Sequence, residues 1–315
     1  MVRSNLVSVS VGYPNLFSIK LTNTQSVDTP SPFQQMLQLP VSQLQSYSPI
    51  LASDFHNIRF VYNGTGIPAW LENISNGVAT IWVKLPVSIP ANSSITIDME
   101  VDPSLNFDGN YWGEAPQLSP TYGQYDNGAN VFNNYWNFAG TTVPSGWTLQ
   151  YNWNINNGLI NSALSTTGFY YAYYSENYSP PIIEDFYANL PTETGNYWGQ
   201  GFGFQSTTDS LAVYAYSSAN PDGKWGLWGA NPTSTSYNLT VTYSGLGVYS
   251  IYYTSTQSAS LSFNYGPLVD TITTDVPSSI SPGGFQLSGL PFTVYWLRLR
   301  TYPPNGVMPS VEVIA

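Results

Sequence analysis

The sequence predicts an all-β protein made of two antiparallel β-sandwich domains. Three observations carry this. Many short runs alternate apolar and polar residues with period two, as half-buried strands do. Turns rich in Gly, Pro and Asn separate these runs at short intervals. With 315 residues, the chain is long enough for two cores rather than one. The expected division is a small sandwich at 1–118 and a larger sandwich or jelly roll at 119–315.

Taken in order, the stretch from Asn5 to Val11 alternates strictly and ends at Gly12-Tyr-Pro14. It is a strand, paired within its own sheet or donated to a neighbouring subunit. Residues 16–21 are a second strand, and Asp28-Thr-Pro-Ser-Pro32 is a turn. Residues 33–39 alternate loosely up to Pro40. Leu44, Tyr47 and Leu51 fit one or two helical turns. Residues 58–62 form a strand closed by a turn at 63–66. Asn76-Gly77 is a strong hairpin signal, and 79–85 and 94–101 are the clearest strands.

The stretch 122–138 is the pivot of the chain, entered through 111–120. Gly113, Pro116, Pro120 and Gly123 mark a linker, while Tyr111, Trp112 and Tyr122 make it a packed one. Its later rings, Tyr135, Trp136 and Phe138, are expected to wedge the two domains together. Beyond it, strands are expected at 147–153, 158–163, 169–174, 182–190, 200–205, 211–217, 225–228, 238–243, 248–254, 260–265 and 292–301. Turns such as Asn220-Pro-Asp-Gly223 and Ser281-Pro-Gly-Gly284 divide them. So many strands at close spacing mean a large antiparallel sandwich.

Composition narrows the function. Charged residues are 8% of the chain, about a third of the ordinary share. Seven Lys and Arg leave no basic surface to neutralise phosphates, which excludes nucleic acid as a partner. The net charge of −11 comes from 18 thinly spread acids. A protein with few ion pairs has little stability to lose when carboxylates are protonated. This suits an extracellular protein of acid, hot surroundings, and equally an ordinary secreted polar β-protein. No cysteine is present, so disulfides, thiolate catalysis and Cys-based zinc sites are excluded. Sequons at Asn63, Asn73, Asn92, Asn177 and Asn238 are glycosylation candidates that agree with secretion. No apolar run is long enough to span a membrane. The first residues lack the apolar core of a signal peptide. Either a signal has been removed, or the protein reaches the outside by another route, for instance in a virion.

Two resemblances cover most of the chain. The segments Pro32-Phe-Gln-Gln-Met36, Asp54-Phe-His-Asn-Ile-Arg-Phe60, Ala69-Trp-Leu-Glu72, Trp82-Val-Lys-Leu85 and Ile89-Pro-Ala-Asn-Ser-Ser-Ile-Thr-Ile97 resemble a domain of unknown function in archaeal and bacterial surface proteins. That resemblance, over residues 15–105, implies a small β-sandwich displayed outside the cell. The segments Tyr125-Asp-Asn-Gly-Ala-Asn-Val-Phe132, Phe138-Ala-Gly140, Ser145-Gly-Trp147, Tyr295-Trp-Leu-Arg-Leu-Arg300 and Tyr302-Pro-Pro-Asn-Gly-Val-Met-Pro-Ser310 are similar to the module that follows it in archaeal surface proteins. This implies a concanavalin A-like lectin/glucanase sandwich, a fold that hosts lectins, hydrolases and inert spacers alike.

Catalytic constellations are sparse. Glycoside hydrolysis needs two carboxyl groups about 5 Å or about 6.5–9.5 Å apart. Laminarinase-type members of this fold carry Glu-x-Asp-x-x-Glu on one strand, and this chain lacks it. Glu184 and Asp185 are adjacent, so they point to opposite faces of a strand. Asp98 and Glu100 alternate correctly but lie in the small domain, towards solvent. His56 is the sole histidine, so no other base could serve a Ser-His-Asp triad. It is read as structural, beside an Asp54/Arg59 pair. No cofactor is expected, with Ca²⁺ left open: Asp126 with Asn127, and Asp222, could supply oxygen ligands. Asx-rich turns give the same pattern without a metal.

The aromatic content is the main clue. Ten Trp and 25 Tyr exceed what the cores need. The residues singled out for carbohydrate contact are Tyr171, Tyr173, Trp198, Trp225 and Trp228, since half-wet rings stack on sugars. In 295–300, Trp296, Arg298 and Arg300 share one face, and Leu297 and Leu299 the other. The two arginines are expected to pair with carboxylates such as Glu184 or to brace the first domain. The function expected is therefore a non-enzymatic extracellular binding or adhesion protein with glycan as the leading ligand. Alternatives are a structural subunit of an archaeal surface filament, envelope or virion, self-associating through the Asn5 to Val11 strand, and a glycoside hydrolase. The expected location is extracellular, on a cell or virion surface.

Overall fold

A computed structural model describes residues 15–162, 164–195, 197, 199–218, 221–231 and 233–314. The first domain contributes β1 (Asn15–Asn23), β2 (Phe33–Pro40), helix α1 (Val41–Tyr47), β3 (Ile58–Tyr62), β4 (Thr65–Ile67), β5 (Ala69–Ser75), β6 (Val78–Leu85), β7 (Ser93–Val101) and β8 (Trp112–Glu114). A short helix α2 (Gly128–Val131) leads into the second domain. There follow β9 (Asn134–Trp136), β10 (Trp147–Leu149), β11 (Trp153–Ile155), β12 (Leu159–Asn161), β13 (Leu164–Tyr174), β14 (Ile182–Leu190), β15 (Gly199–Gln205) and β16 (Ser210–Ala215). Then come β17 (Trp225–Ala230), β18 (Thr235–Tyr243), β19 (Gly245–Ser255), β20 (Ser258–Phe263), β21 (Asp270–Ile272), β22 (Pro282–Gly289) and β23 (Phe292–Thr301). The last strand is β24 (Ser310–Ile314).

These strands build four sheets. The small domain packs the five-stranded sheet β24-β1-β7-β3-β4 on the four-stranded sheet β2-β6-β5-β8. The large domain packs an eight-stranded sheet, β11-β12-β23-β14-β19-β20-β21 with β9 beside β23, on the seven-stranded sheet β10-β13-β22-β15-β16-β17-β18. Among the described residues every pairing is antiparallel except β5 with β8. The all-β, two-sandwich architecture is as the sequence predicts, with a jelly-roll second domain.

Period-two alternation explains each layer. In β6, Ala79, Ile81, Val83 and Leu85 enter the small core, while Trp82 points the other way. The predicted Asn76-Gly77 hairpin joins β5 to β6, both residues having positive φ, as a type I′ turn requires. In β23, Leu297 and Leu299 enter the large core, and Trp296 faces outwards. Trp70, Trp82, Phe132, Val248 and Trp296 therefore meet in a third core between the domains. The result is four stacked sheets with three apolar layers.

Two expectations need adjustment. β24 pairs with β1, from Ser18 opposite Ile314 to Thr22 opposite Ser310. The last described strand thus belongs to a sheet of the first domain, and the second domain does not run unbroken from 119 onwards. Of the three wedging rings, only Tyr135 packs into the inter-domain core. Trp136 and Phe138 join the end of the large core against Trp147. The stretch from Asn5 to Val11 lies outside the described residues.

Candidate functional site

The outer face of the seven-stranded sheet is a row of rings. Alternation in β16 sends Leu211, Val213 and Ala215 into the core and leaves Tyr214 outside. In β17 it buries Trp225 and Leu227 and leaves Trp228 outside. Tyr214 and Trp228 stack, with centroids 4.6 Å apart. Phe285 of β22 lies 5.2 Å from Trp228 and 5.7 Å from Tyr214. Phe169 of β13 lies 5.8 Å from Phe285 and 6.3 Å from Tyr171. The row crosses β15 because that strand has no side chain in the way: Gly201 is opposite both Phe285 and Tyr214. A Cβ at Gly201 would come within 2.6 Å of the Phe285 ring. Tyr237 of β18, opposite Trp228, is 58% exposed and prolongs the row.

The face is polar without being charged. Burial pushes the Tyr214 and Tyr171 phenols above their ordinary range, so both remain neutral hydroxyls in acid and at neutrality. None of the seven strands contains Asp or Glu. The paired carboxyls of glycoside hydrolysis cannot come from this sheet.

The acids of the other sheet are engaged or enclosed. Glu184 enters the large core on the side of Phe186 and Ala188, opposite Ile251 and Leu299. It is fully buried and neither carboxyl oxygen has a partner. Burial, reinforced by the Asp185 charge, holds it well above the usual carboxylate range. Asp185 faces the first domain, where its Oδ2 accepts from Nε of Arg298 (2.9 Å) and of Arg300 (2.7 Å). Burial pushes Asp185 up, but Arg300 and Arg298 outweigh it and keep the carboxyl below its ordinary value. Arg298 also reaches Glu72 Oε2 at 2.9 Å and the Tyr265 hydroxyl at 2.5 Å. Its guanidinium carbon lies 4.3 Å from the centroid of the Trp82 ring and 4.4 Å from that of Phe132. Arg298 therefore braces the first domain, as one expected alternative had it, through Glu72, while Asp185, from the neighbouring strand of the same sheet, holds both arginines. Glu184 is not their partner.

The predicted site residues separate accordingly. Tyr171 and Tyr173 lie on the outer face of β13, and Trp228 sits in the ring row. Trp225 does not: it is wholly buried and donates from Nε1 to the Pro191 carbonyl at 2.7 Å. Its position beside a turn concealed its inward parity. Trp198 lies outside the described residues. Sequence reading missed Phe285, Tyr214 and Phe169. The alternation of 211–216 and the repeated glycines of 199–203 were the signals for Tyr214 and for a cleared strand.

The Asp126 corner is corrected as a Ca²⁺ site. Its Oδ1 accepts from Trp70 Nε1 (2.8 Å) and the Gly128 amide (3.0 Å), and its Oδ2 from Tyr135 (2.9 Å) and Asn137 (2.7 Å). Four donors already saturate it, and a cation would face N–H and O–H groups. Asn127 donates to the Ala69 and Asn110 carbonyls and staples α2 to the first domain. Asp222 serves a separate turn, accepting from the Lys224 amide and the Thr242 hydroxyl. Among the described residues no cluster of three His, Asp or Glu could hold a metal ion. His56 contacts Asp54 at 2.6 Å, whereas Arg59 pairs with Glu100 instead of Asp54. Asn63, Asn92 and Asn177 are exposed and Asn73 half-buried. Asn238 is tied down, donating to the Thr271 carbonyl and accepting from Thr240.

Fold and face together define a two-domain β-sandwich protein with an aromatic, acid-free sheet surface. Residues 54–106 match a domain of unknown function, DUF2341. The chain is 33% identical over 344 residues to "Uncharacterized protein 562" of Sulfolobus islandicus rod-shaped virus 1. The match takes in 98% of this chain and 60% of that relative, so the chain spans less than two thirds of its length. Among solved structures it is similar to a β-1,3-glucanase from Mycobacterium marinum, with 11% identity, TM-score 0.42, and 53% and 98% of the two chains covered. It is likewise similar to β-agarase A from Zobellia galactanivorans, with 11% identity, TM-score 0.39, and 58% and 91% covered. The resemblances expected from sequence hold at the level of the DUF2341 domain and of the concanavalin-type fold. The solved structures are glucanases and agarases, which runs against a non-enzymatic binding or adhesion protein, and that expectation does not stand. Among the described residues no helix is long and apolar enough to cross a membrane.

Proposed function

We propose that the second domain holds a carbohydrate chain along the outer face of its seven-stranded sheet. The observation that carries this is the group of rings Phe169, Tyr214 and Trp228, packed about the buried Phe285 across the strand that Gly201 clears. Pyranose rings pack their C–H faces on aromatic faces, and their hydroxyls meet neutral phenols and water. A row several strands long suits a polysaccharide better than a single sugar. In this reading the chain works outside the cell, on a cell or virion surface. The exposed sequon asparagines support that location, and the relative in a rod-shaped virus supports the virion.

Electrophoresis of the native protein through gels containing β-1,3-glucan, agarose or mannan tests the proposal. Retardation is expected in at least one. Trp228→Ala should weaken it by about threefold to tenfold, the equivalent of about 0.5–1.5 kcal/mol for one aromatic contact. Unaltered mobility in every polysaccharide, or retardation that Trp228→Ala leaves intact, would sink it. Reducing ends counted in the same mixtures show whether the bound chain is also cut. Cutting would require acids from outside this sheet.

A further inference from the structure

The hairpin between β3 and β4 has the makings of an attachment point. Tyr62 and Thr65 lie directly opposite each other across it, so their side chains rise on one face within contact range. Asn63 (φ 48°) and Gly64 (φ 77°) form its two-residue tip, the left-handed pair of a type I′ turn. Asn63, Gly64 and Thr65 are also a sequon. Asn63 and Thr65 are exposed, and nothing lies within 4 Å of where a Cβ on Gly64 would stand. Tyr62 is half-buried, resting against the small core. Tyr62, Asn63 and Thr65 line one concavity of about 480 Å³, walled further by Pro32, Pro68 and Pro86 and carrying Lys84 as its single charge. The other sequons lack this setting. Asn238 is tied down and Asn73 half-buried. Asn92 and Asn177 are exposed, but they lie in longer connections and their sequons end in Ser.

We propose that Asn63 carries an N-linked glycan whose first sugar packs on Tyr62 and Thr65 and whose chain lies in that concavity. Attachment joins Asn63 Nδ2 to the anomeric carbon of a phosphate-linked sugar donor from the glycosylating cell. The C–N bond forms as the C–O bond to phosphate breaks, the phosphate leaves, and Nδ2 gives up one proton. A sugar tethered at Asn63 starts beside the ring, so little freedom is lost when its C–H face settles on Tyr62 and the Thr65 methyl. The prolines continue the apolar wall, and the Lys84 ammonium donates to sugar oxygens. The unfolded chain offers no such seat, so the glycan stabilises the folded hairpin. The inference rests on the location outside the cell proposed above, and is independent of the ring row.

Glycopeptide mass spectrometry of the protein from its natural source tests the first half: Asn63 should carry glycan. Thermal unfolding of glycosylated protein tests the second. Asn63→Gln should lower the midpoint by about 2 °C or more, the scale of one aromatic contact in a chain of this size. Tyr62→Leu keeps the apolar contact with the small core but has no aromatic face. In that background Asn63→Gln should cost nothing further, and the comparison cancels whatever Tyr62→Leu itself does to the core. Trp228→Ala should alter neither the occupancy of Asn63 nor the midpoint difference. An unmodified Asn63 overturns the proposal. With glycan on other sequons, that result would leave the location outside the cell standing. An Asn63→Gln midpoint equal to that of the glycosylated parent also overturns it, as does a loss of the same size in the Tyr62→Leu background.

Discussion

Arg298 shows what a charge does when water is removed from it. Its side chain is completely buried, yet its Nε meets Asp185, its terminal amine meets Glu72 and Tyr265, and four rings surround its guanidinium. Removing one partner of a buried pair leaves the other charge stranded, at a cost of about 3–5 kcal/mol. Arg298→Met is expected to lose that much in chemical denaturation. Arg298→Lys should rescue little, because an ammonium cannot reproduce the planar fork. Glu184 is the opposite case, a carboxyl with no donor at all. Replacing it by the near-isosteric Leu should raise stability at neutral pH by about 1–3 kcal/mol, the penalty of an unmet buried polar group. A measured loss would mean that Glu184 has a partner. Sequence parity correctly put Trp296, Arg298 and Arg300 on one face. It could not assign their acids, because either of two adjacent residues, Glu184 and Asp185, could have faced the arginines. Only knowledge of which face is the core decides that.

At the level of the strand, β15 governs the candidate face. Its sequence Gly-Gln-Gly-Phe-Gly-Phe-Gln sends Phe202 and Phe204 into the core and leaves an unobstructed lane outside. Phe285 lies over that lane at Gly201. In Gly201→Ala the new Cβ would stand 2.6 Å from the Phe285 ring and 3.2 Å from the Val213 carbonyl. The ring can move but the backbone cannot, so Phe285 is expected to swing off the row. The near-ultraviolet dichroism of the Tyr214–Trp228 stack should fall while far-ultraviolet β signal persists. An unchanged near-ultraviolet spectrum would show that Gly201 does not shape the row. The strands themselves were legible, since alternation and turn residues are local. Their order in the sheet was not, since period two says which residues share a face and nothing about which strand lies alongside. That is why Tyr214 and Phe285, from strands distant in sequence, escaped notice while Tyr171 and Tyr173 did not.

For the whole molecule, the four-layer stack sets how stability responds to acid. The sequence showed few ion pairs to lose, and the structure adds a stronger reason. Burial raises the carboxyls of Glu72, Glu114, Asp126, Glu184, Glu193 and Asp270. In the unfolded chain such groups titrate near about pH 4. A raised group binds its proton more tightly in the folded state. Its contribution is therefore complete below about pH 4 and is lost as pH rises through the folded value. Asp185, held low by Arg300 and Arg298 against the effect of burial, works the other way, contributing above about pH 4 and failing as pH falls further. More groups are raised than lowered, so stability should climb as pH drops from neutrality towards about 4.5. It should decline again only where Asp185, and Asp54 and Asp102, which are likewise held low, take up their protons. Thermal unfolding followed across that range should give a higher midpoint near pH 4.5 than at pH 7.5. Glu184→Gln, which removes the most enclosed of these carboxyls, should flatten the slope without reversing it. A midpoint that falls from neutrality to pH 4.5 would mean that the buried acids remain ionised, with donors supplied by water inside the stack.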